Sequence, residues 1–167
     1  MTSQLDASHL EDSNRGAWAG PIPSPSPAEL ADRYAVSQLV KVYALGVDLR
    51  DYDLCRSVFT DDAVADGSVG SFPIDEYLPK VHGGAAAYAA TQHNVTNQHV
   101  VIDGDTATCW SYAIAVHKHA AGVAGEQMTL GVQYRDLCRR TPEGWLIARR
   151  KVVRVWNEFT PNDGRAV

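Results

Sequence analysis

The amino-acid sequence predicts an α+β fold: a cone-shaped, curved antiparallel sheet with N-terminal helices packed on it. Three observations carry that expectation. Apolar residues recur at helical spacing through the first half of the chain and at strand spacing from His93 onward. Two hairpin turn signals, Asp103-Gly104 and Thr141-Pro142-Glu143-Gly144, divide the second half into a meander. A length of 167 residues, 45% hydrophobic and 21% charged, suits one globular domain with little left for a second. When helices precede strands in this way they segregate to one face of the sheet. Helices that close one end of a curved sheet leave an interior.

Residues 1–27 are rich in Ser, Gly and Pro and end in Pro21-Ile22-Pro23-Ser24-Pro25-Ser26-Pro27. They read as an extended arm, which Trp18 and Ile22 could staple to the body or to a neighbouring subunit. The domain itself is expected over 28–159, with 160–167 as a short polar tail. Ser26-Pro27-Ala28-Glu29 starts the first helix: Ser26 caps it, Pro27 suits the first helical position, and Glu29 completes a capping box. Leu30, Tyr34, Leu39, Val42 and Tyr43 mark its apolar face as far as about Leu49. Arg50-Asp51-Tyr52-Asp53 breaks the pattern, and Asp51 caps a shorter helix through Leu54, Val58 and Phe59. A third helix is expected over 74–91, alanine-rich at its end and weakened by Gly83-Gly84. Strands follow over 97–102, 105–119, 126–139 and 145–156.

The strand over 105–119 separates its side chains sharply. One face carries Thr108, Trp110, Tyr112, Ile114 and Val116; the other carries Ala107, Cys109, Ser111, Ala113, Ala115, His117 and His119. Small residues in such a row either let helices pack closely or leave room for a ligand that His117 can reach. The apolar row opposite fits either a core face or a surface buried by a second copy.

Composition and motifs narrow the function. A net charge of -5 argues against a protein built to hold nucleic acid or an acidic membrane surface. No apolar run is long enough to span a bilayer, and the N-terminus lacks the basic start and apolar middle of a secretory signal. Cys55, Cys109 and Cys138 are odd in number and lack paired spacing, as reduced thiols of a cytoplasmic protein would. There is no phosphate-binding glycine loop, dinucleotide fingerprint or nucleophile elbow. His117 and His119 share a strand face, but the spacing supplies no third metal ligand, so no metal is expected. Arg139-Arg140 and Arg149-Arg150-Lys151 fit a solvated face better than a nucleic-acid patch.

Three polar residues stand where the pattern asks for something else. Asp48 ends the apolar first helix after Val47; His93 sits in Thr91-Gln92-His93-Asn94 at the helix-to-strand junction; His117 ends the row of small residues. Each also has a structural explanation: a solvated helix end, a capping side chain and an edge histidine. Together they make a general acid–base set, because histidine takes and gives protons near neutrality. A carboxylate on the other ring nitrogen fixes the tautomer and stabilises the imidazolium.

The stretch from Tyr43 to Asp53 (Tyr-Ala-Leu-Gly-Val-Asp-Leu-Arg-Asp-Tyr-Asp), followed by Val58-Phe59-Thr60-Asp61-Asp62-Ala63, resembles the opening motif of SnoaL-like domains. These belong to the nuclear-transport-factor-2-like superfamily. Thr91-Gln92-His93-Asn94, Val100 to Ala107, Gly131 to Asp136 and Gly144-Trp145 continue the resemblance over most of the chain. Within the superfamily the scytalone dehydratase branch is most similar. Its catalytic Asp-x-x-Asp-aromatic-Asp stretch is matched by Asp48, Asp51, Tyr52 and Asp53, its first histidine by His93 and its second by His117. The branch has a tyrosine where Val47 stands, and another on its first short strand, near Asp66-Gly67, where this chain has none.

The resemblance implies that His93, oriented by Asp48, removes a proton beside a ketone, and that His117 donates to the developing oxyanion or a departing hydroxyl. Tyr43, Tyr134 and Tyr52 are the candidate substrate contacts. The reaction needs no cofactor. The expected protein is a dehydratase (lyase) or an isomerase/cyclase acting on a hydrophobic cyclic, hydroxylated, carbonyl-bearing molecule of polyketide or steroid type. A homo-oligomer, dimer or trimer, is expected. The alternative is a domain of the same fold that binds a small molecule or assembles without catalysis.

Overall fold

A computed structural model describes residues 20–162 of the chain. Trp18 and most of the expected arm lie outside the described residues. Gly20 to Ser26 are exposed and without regular structure. The elements, in order, are α1 (Pro27–Leu49), α2 (Tyr52–Arg56), β1 (Phe59–Gly67), β2 (Gly70–Pro73), α3 (Ile74–Ala86), β3 (Ala90–Asp103), β4 (Thr106–Lys118), β5 (Glu126–Thr141) and β6 (Gly144–Pro161). The expected α+β architecture is present: one six-stranded sheet in the order β2-β1-β6-β5-β4-β3, with the helices preceding its long strands.

α1 starts as its sequence requires, with the Ser26 hydroxyl accepting the Glu29 N–H at 3.2 Å and Pro27 in the first turn. The capping box is only half formed, because the Glu29 carboxylate turns to Arg33, 2.8 Å away. The buried stripe also differs from the expected one. Val36, Val40, Tyr43 and Val47 face the core at steps of four and three residues, while Leu30 and Tyr34 are exposed. Arg50 ends the helix in the left-handed region at φ 62, its N–H returning to Gly46 and Val47 carbonyls. Asp51 then caps α2 by accepting the Leu54 N–H at 2.9 Å. The turn lets α2 fold back on α1 so closely that a Cβ on Gly46 would lie 2.6 Å from the Cys55 sulfur.

α3 ends at Ala86, short of the expected 91. The alanine-rich run reads as helix locally, but pairing with β4 converts 90–96 to strand, placing Thr91 opposite His117 and His93 opposite Ala115. The sequence pattern does not predict β1 and β2. Acidic Asp61, Asp62 and Asp66 hide the strand alternation of β1, in which Ala63 and Ala65 are the small buried residues. β1 also runs parallel to β6, Phe59 opposite Ile147, whereas every other pairing is antiparallel. β3 is bent by a register shift between Thr96 and His99, with Asn97 at φ 45.

Both explanations of the small face of β4 hold, at different ends. Ala107, Cys109 and Ala113 are buried in the core cluster that includes Val36, Val40 and Tyr43 of α1. Ala115 and His117, farther along the strand, line a cavity instead. On the opposite face Tyr112 and Ile114 are exposed at 40% and 44%, so the middle of that row is an outer surface, while Thr108 at its start is buried. The three cysteines are free and buried, and burial pushes the thiols of Cys55 and Cys109 up to about 12 and about 11. The arginines at the strand ends are neutralised locally. Arg139 pairs with Asp62, and Arg140 with Asp32 and Asp105, while Asp32 also accepts the Trp145 indole N–H at 2.9 Å. No helix among the described residues is long and apolar enough to cross a membrane.

Candidate active site

α1 delivers Asp48 on its last turn, and β3 delivers His93 opposite it. The carboxylate accepts three hydrogen bonds: from His93 Nδ1 at 2.7 Å, the His93 backbone N–H at 2.8 Å and the Thr91 hydroxyl at 2.9 Å. Both the position and the ring angle of His93 are thereby fixed. With Nδ1–H committed to the carboxylate, Nε2 is the nitrogen left for the cavity that His93 lines. Asp48 is only partly buried: its side chain keeps 23% of its exposure, whereas that of His93 keeps 8%.

His117 lies across from His93, the ring centroids 5.9 Å apart and nearly perpendicular. The two rings are in edge-to-face contact with no hydrogen bond between them, and both face the same cavity. His117 Nδ1 is buried, with no side-chain hydrogen-bond partner among the described residues. Burial, and then the neighbouring His93, hold the His117 pKa below the ordinary imidazole value. Tyr88, from the segment between α3 and β3, packs against the rings of both His117 and His119 at centroid distances of 5.0 and 4.7 Å. Its backbone carbonyl is held by Arg50 at 2.8 Å.

These groups open onto a cavity of about 420 Å³, in the size range of small-molecule sites. Val47, Val81, Leu130, Val132 and Val152 give it apolar walls, and Tyr43, Tyr77, Tyr88 and Tyr134 bring aromatic rings. Ser68, Lys80 and Arg154 line it as well. The structure therefore gathers five of the six sequence-predicted residues, Asp48, His93, His117, Tyr43 and Tyr134, at one site. Tyr52 is the exception. It does not line the cavity; its ring packs on His82 and its hydroxyl faces Asp75 at 3.5 Å, because α2 turns that side of the motif outward.

Tyr77 is a site residue that sequence reasoning misses. It projects from α3, is 3% exposed, and occupies the space beside Gly67, where a Cβ would fall 2.4 Å from its hydroxyl oxygen. A tyrosine from a helix thus fills the region near Asp66-Gly67, where the resemblance implies one on the first short strand. The absence of a side chain at Gly67 is the sequence signal, legible only once α3 is seen to cross it.

Beneath the cavity floor, Arg150 is fully buried and makes a bidentate pair with Asp136, both bonds 2.7 Å. Its guanidinium packs on the rings of Tyr43, Tyr134 and Phe59 at 4.2, 4.8 and 5.1 Å. Burial opposes the charge on Arg150, but Asp136 more than offsets it and raises its pKa. Burial also raises the pKa of Tyr43 and Tyr134, so both phenols stay protonated as hydrogen-bond donors. The sequence pattern places Arg150 among solvated cations; nothing in Arg149-Arg150-Lys151 distinguishes the inward residue until strand register is known.

The chain is similar to several known proteins. An uncharacterised protein of Mycobacterium tuberculosis (strain H37Rv) is 37% identical over 132 residues, covering 75% of this chain and 86% of its own. A scytalone-dehydratase-like protein from Novosphingobium aromaticivorans superposes with a TM-score of 0.69 at 18% identity, covering 83% of this chain and 97% of that one. The hexachlorocyclohexane dehydrochlorinase LinA-type3 from Novosphingobium barchaimii also gives 0.69, at 19% identity and with coverage of 83% and 95%. At such identities the structural likeness is one of fold. The SnoaL-like domain model matches residues 28–151, the stretch that holds the helices, most of the sheet and most of the cavity lining, and the chain belongs to the SnoaL-like domain family.

Proposed function

We propose that this protein is an acid–base enzyme that needs no cofactor, a dehydratase (lyase) or an isomerase/cyclase. Its substrate is a cyclic, hydroxylated, carbonyl-bearing small molecule of polyketide or steroid type. The observation that carries the reading is the Asp48–His93 pair beside His117, with both imidazoles on one apolar cavity. The names of two fold neighbours, a scytalone-dehydratase-like protein and a dehydrochlorinase, support it: both denote eliminations, which remove a proton from carbon.

His93 Nε2 takes a proton from the carbon beside the ketone, and the C–H electron pair moves into an enolate. The imidazolium that results is stabilised by the Asp48 carboxylate. His117, neutral because its pKa is held down, offers an N–H to the enolate oxygen and does not compete for the proton. The hydroxyls of Tyr43, Tyr77 and Tyr134 are the further donors in reach of a bound carbonyl. In a dehydration the enolate collapses, the β C–O bond breaks, and the hydroxide departs as water with the proton carried by His93. In an isomerisation that proton returns to a different carbon.

The outer row of β4, with Trp156 of β6 at 44% exposure, is the surface we assign to pairing with a second copy. Light scattering of the wild type against an Ile114→Lys variant tests this: an unchanged mass removes the face from assembly.

Exchange of the α-protons of α-tetralone in deuterated water, followed by NMR, tests the chemistry on a simple ring ketone. His93→Ala and Asp48→Asn are each expected to slow exchange by about 10²–10⁴. Exchange at wild-type rate in both variants would overturn the assignment.

A further inference from the structure

The lining of the cavity is one-sided in charge. Lys80 of α3 and Arg154 of β6 both contribute to it, and no carboxylate side chain does; Asp48 stands behind His93. Both cations belong to exposed residues, so they stand at the open rim, apart from the buried His117. Ser68, in the turn between β1 and β2, adds a hydroxyl to the same lining and is also exposed.

Five of the described arginines are matched with acids, whereas Arg50 holds the Tyr88 carbonyl and Arg135 lies over the Trp110 ring. Arg33, Arg56, Arg139, Arg140 and Arg150 each pair with a carboxylate at 2.7 to 3.0 Å. The chain holds 20 acidic residues against 15 basic ones, so partners are plentiful. Yet among the described residues neither Lys80 nor Arg154 makes a salt bridge. Glu76, one turn before Lys80 on α3, is at helical pairing distance in sequence but does not close the pair. The Lys80 ammonium instead lies over the Phe72 ring at 4.7 Å, which steadies it without neutralising its charge.

We infer that the substrate is an anion, a ring ketone bearing an oxyanion substituent such as a carboxylate or phosphate. Lys80 and Arg154 take that group at the rim, and its carbonyl end reaches His93 and His117 within. The inference rests on the proposed function and specifies its substrate class. It accounts for the layout of the cavity: donors at the rim, apolar walls between, and acid–base groups at depth. A molecule polar at both ends and apolar between them would be held in one direction, with its reactive carbon toward the histidines.

Calorimetric titration of the full chain with α-tetralone, a tetralone carboxylate and a tetralone phosphate tests this. At least one charged ligand is expected to bind about tenfold more tightly than the neutral ketone at low salt, the worth of two partly desolvated ion pairs. That advantage should shrink at high salt and collapse to within about twofold in a Lys80→Met, Arg154→Met double variant whose near-ultraviolet dichroism matches wild type. Equal affinity for neutral and charged ligands, or an advantage that survives in the double variant, overturns the inference. A preference for only one of the charged ligands supports it and identifies the oxyanion. Proton exchange on the neutral ketone, measured in parallel, separates the two claims. Anion preference without exchange leaves the rim standing and removes the catalytic reading, and binding of none of the ligands removes both.

Discussion

Two acid–base pairs of equal length differ in almost everything else: Arg150–Asp136, packed behind the cavity tyrosines Tyr43 and Tyr134, and His93–Asp48, whose histidine lines the cavity. Each is joined by bonds of 2.7 Å. The first is sealed, its side chains 0% and 1% exposed, and it is wrapped by three aromatic rings. The second is partly open, and its histidine faces the cavity. A sealed pair holds its protons fixed and can serve only the fold. A pair with one solvent-facing carboxylate and one cavity-facing imidazole can accept a proton and lose it again. Bond length does not separate these roles; exposure and the free ring nitrogen do.

The contrast can be broken from either side. Arg150→Met leaves Asp136 buried without a partner and is expected to cost about 3–5 kcal/mol in denaturant unfolding, enough to threaten folding. Replacing both partners, Arg150→Met with Asp136→Leu, should recover much of that loss. A single variant as stable as wild type would show that the pair is not sealed.

Asp48→Asn should do the reverse. Its stability is expected to fall by no more than about 1–2 kcal/mol, since a partly exposed group loses hydrogen bonds that water replaces, while the exchange rate drops by orders of magnitude. A large stability loss with activity intact would make this pair structural too.

Tyr77→Phe keeps the ring in place beside Gly67 and removes only the hydroxyl. The expected loss is about ten- to hundredfold in exchange rate with little change in melting temperature. An unaltered rate would confine Tyr77 to packing.

The smallest effect is in pH dependence. Burial and His93 depress the His117 pKa, and burial and Arg50 depress that of His82, each from an ordinary value of 6.5. Below that value the unfolded chain binds protons that the folded chain refuses, so stability is full above it and falls as pH drops through the folded values. Melting curves between about pH 7 and about pH 5 should show the decline, and His117→Gln should make it shallower. A wild-type curve flat over that window would contradict the depressed values.

How much of this is legible in the sequence varies with the range of the interactions involved. Asp48 and His93 stand out because each interrupts a local pattern, and the cap residues Ser26 and Asp51 because capping is decided within a few positions. Leu30 and Tyr34 mislead because periodicity gives a stripe but not its phase against the rest of the fold. β1 escapes because its partner, β6, lies at the other end of the chain. Tyr52 belongs to the motif through its sequence neighbours, and the turn at Arg50 sends it elsewhere. Tyr77 and Arg150 face inward for reasons of helix crossing and strand register that no local window contains.

The parallel pairing of β1 with β6 has a consequence for how the molecule comes into being. β6 is the last strand of the sheet, yet it pairs with the first strand on one side and β5 on the other. It also supplies Arg150 beneath the tyrosines and Arg154 at the rim. Until the ribosome has released this strand, β1 and β2 have no sheet to join and the floor of the cavity is missing. Such high contact order slows folding and leaves Tyr43, Phe59 and Tyr134 uncovered in the nascent chain. The cavity is therefore the last part of the protein to form, and a chain truncated before β6 is expected to be a client for chaperones.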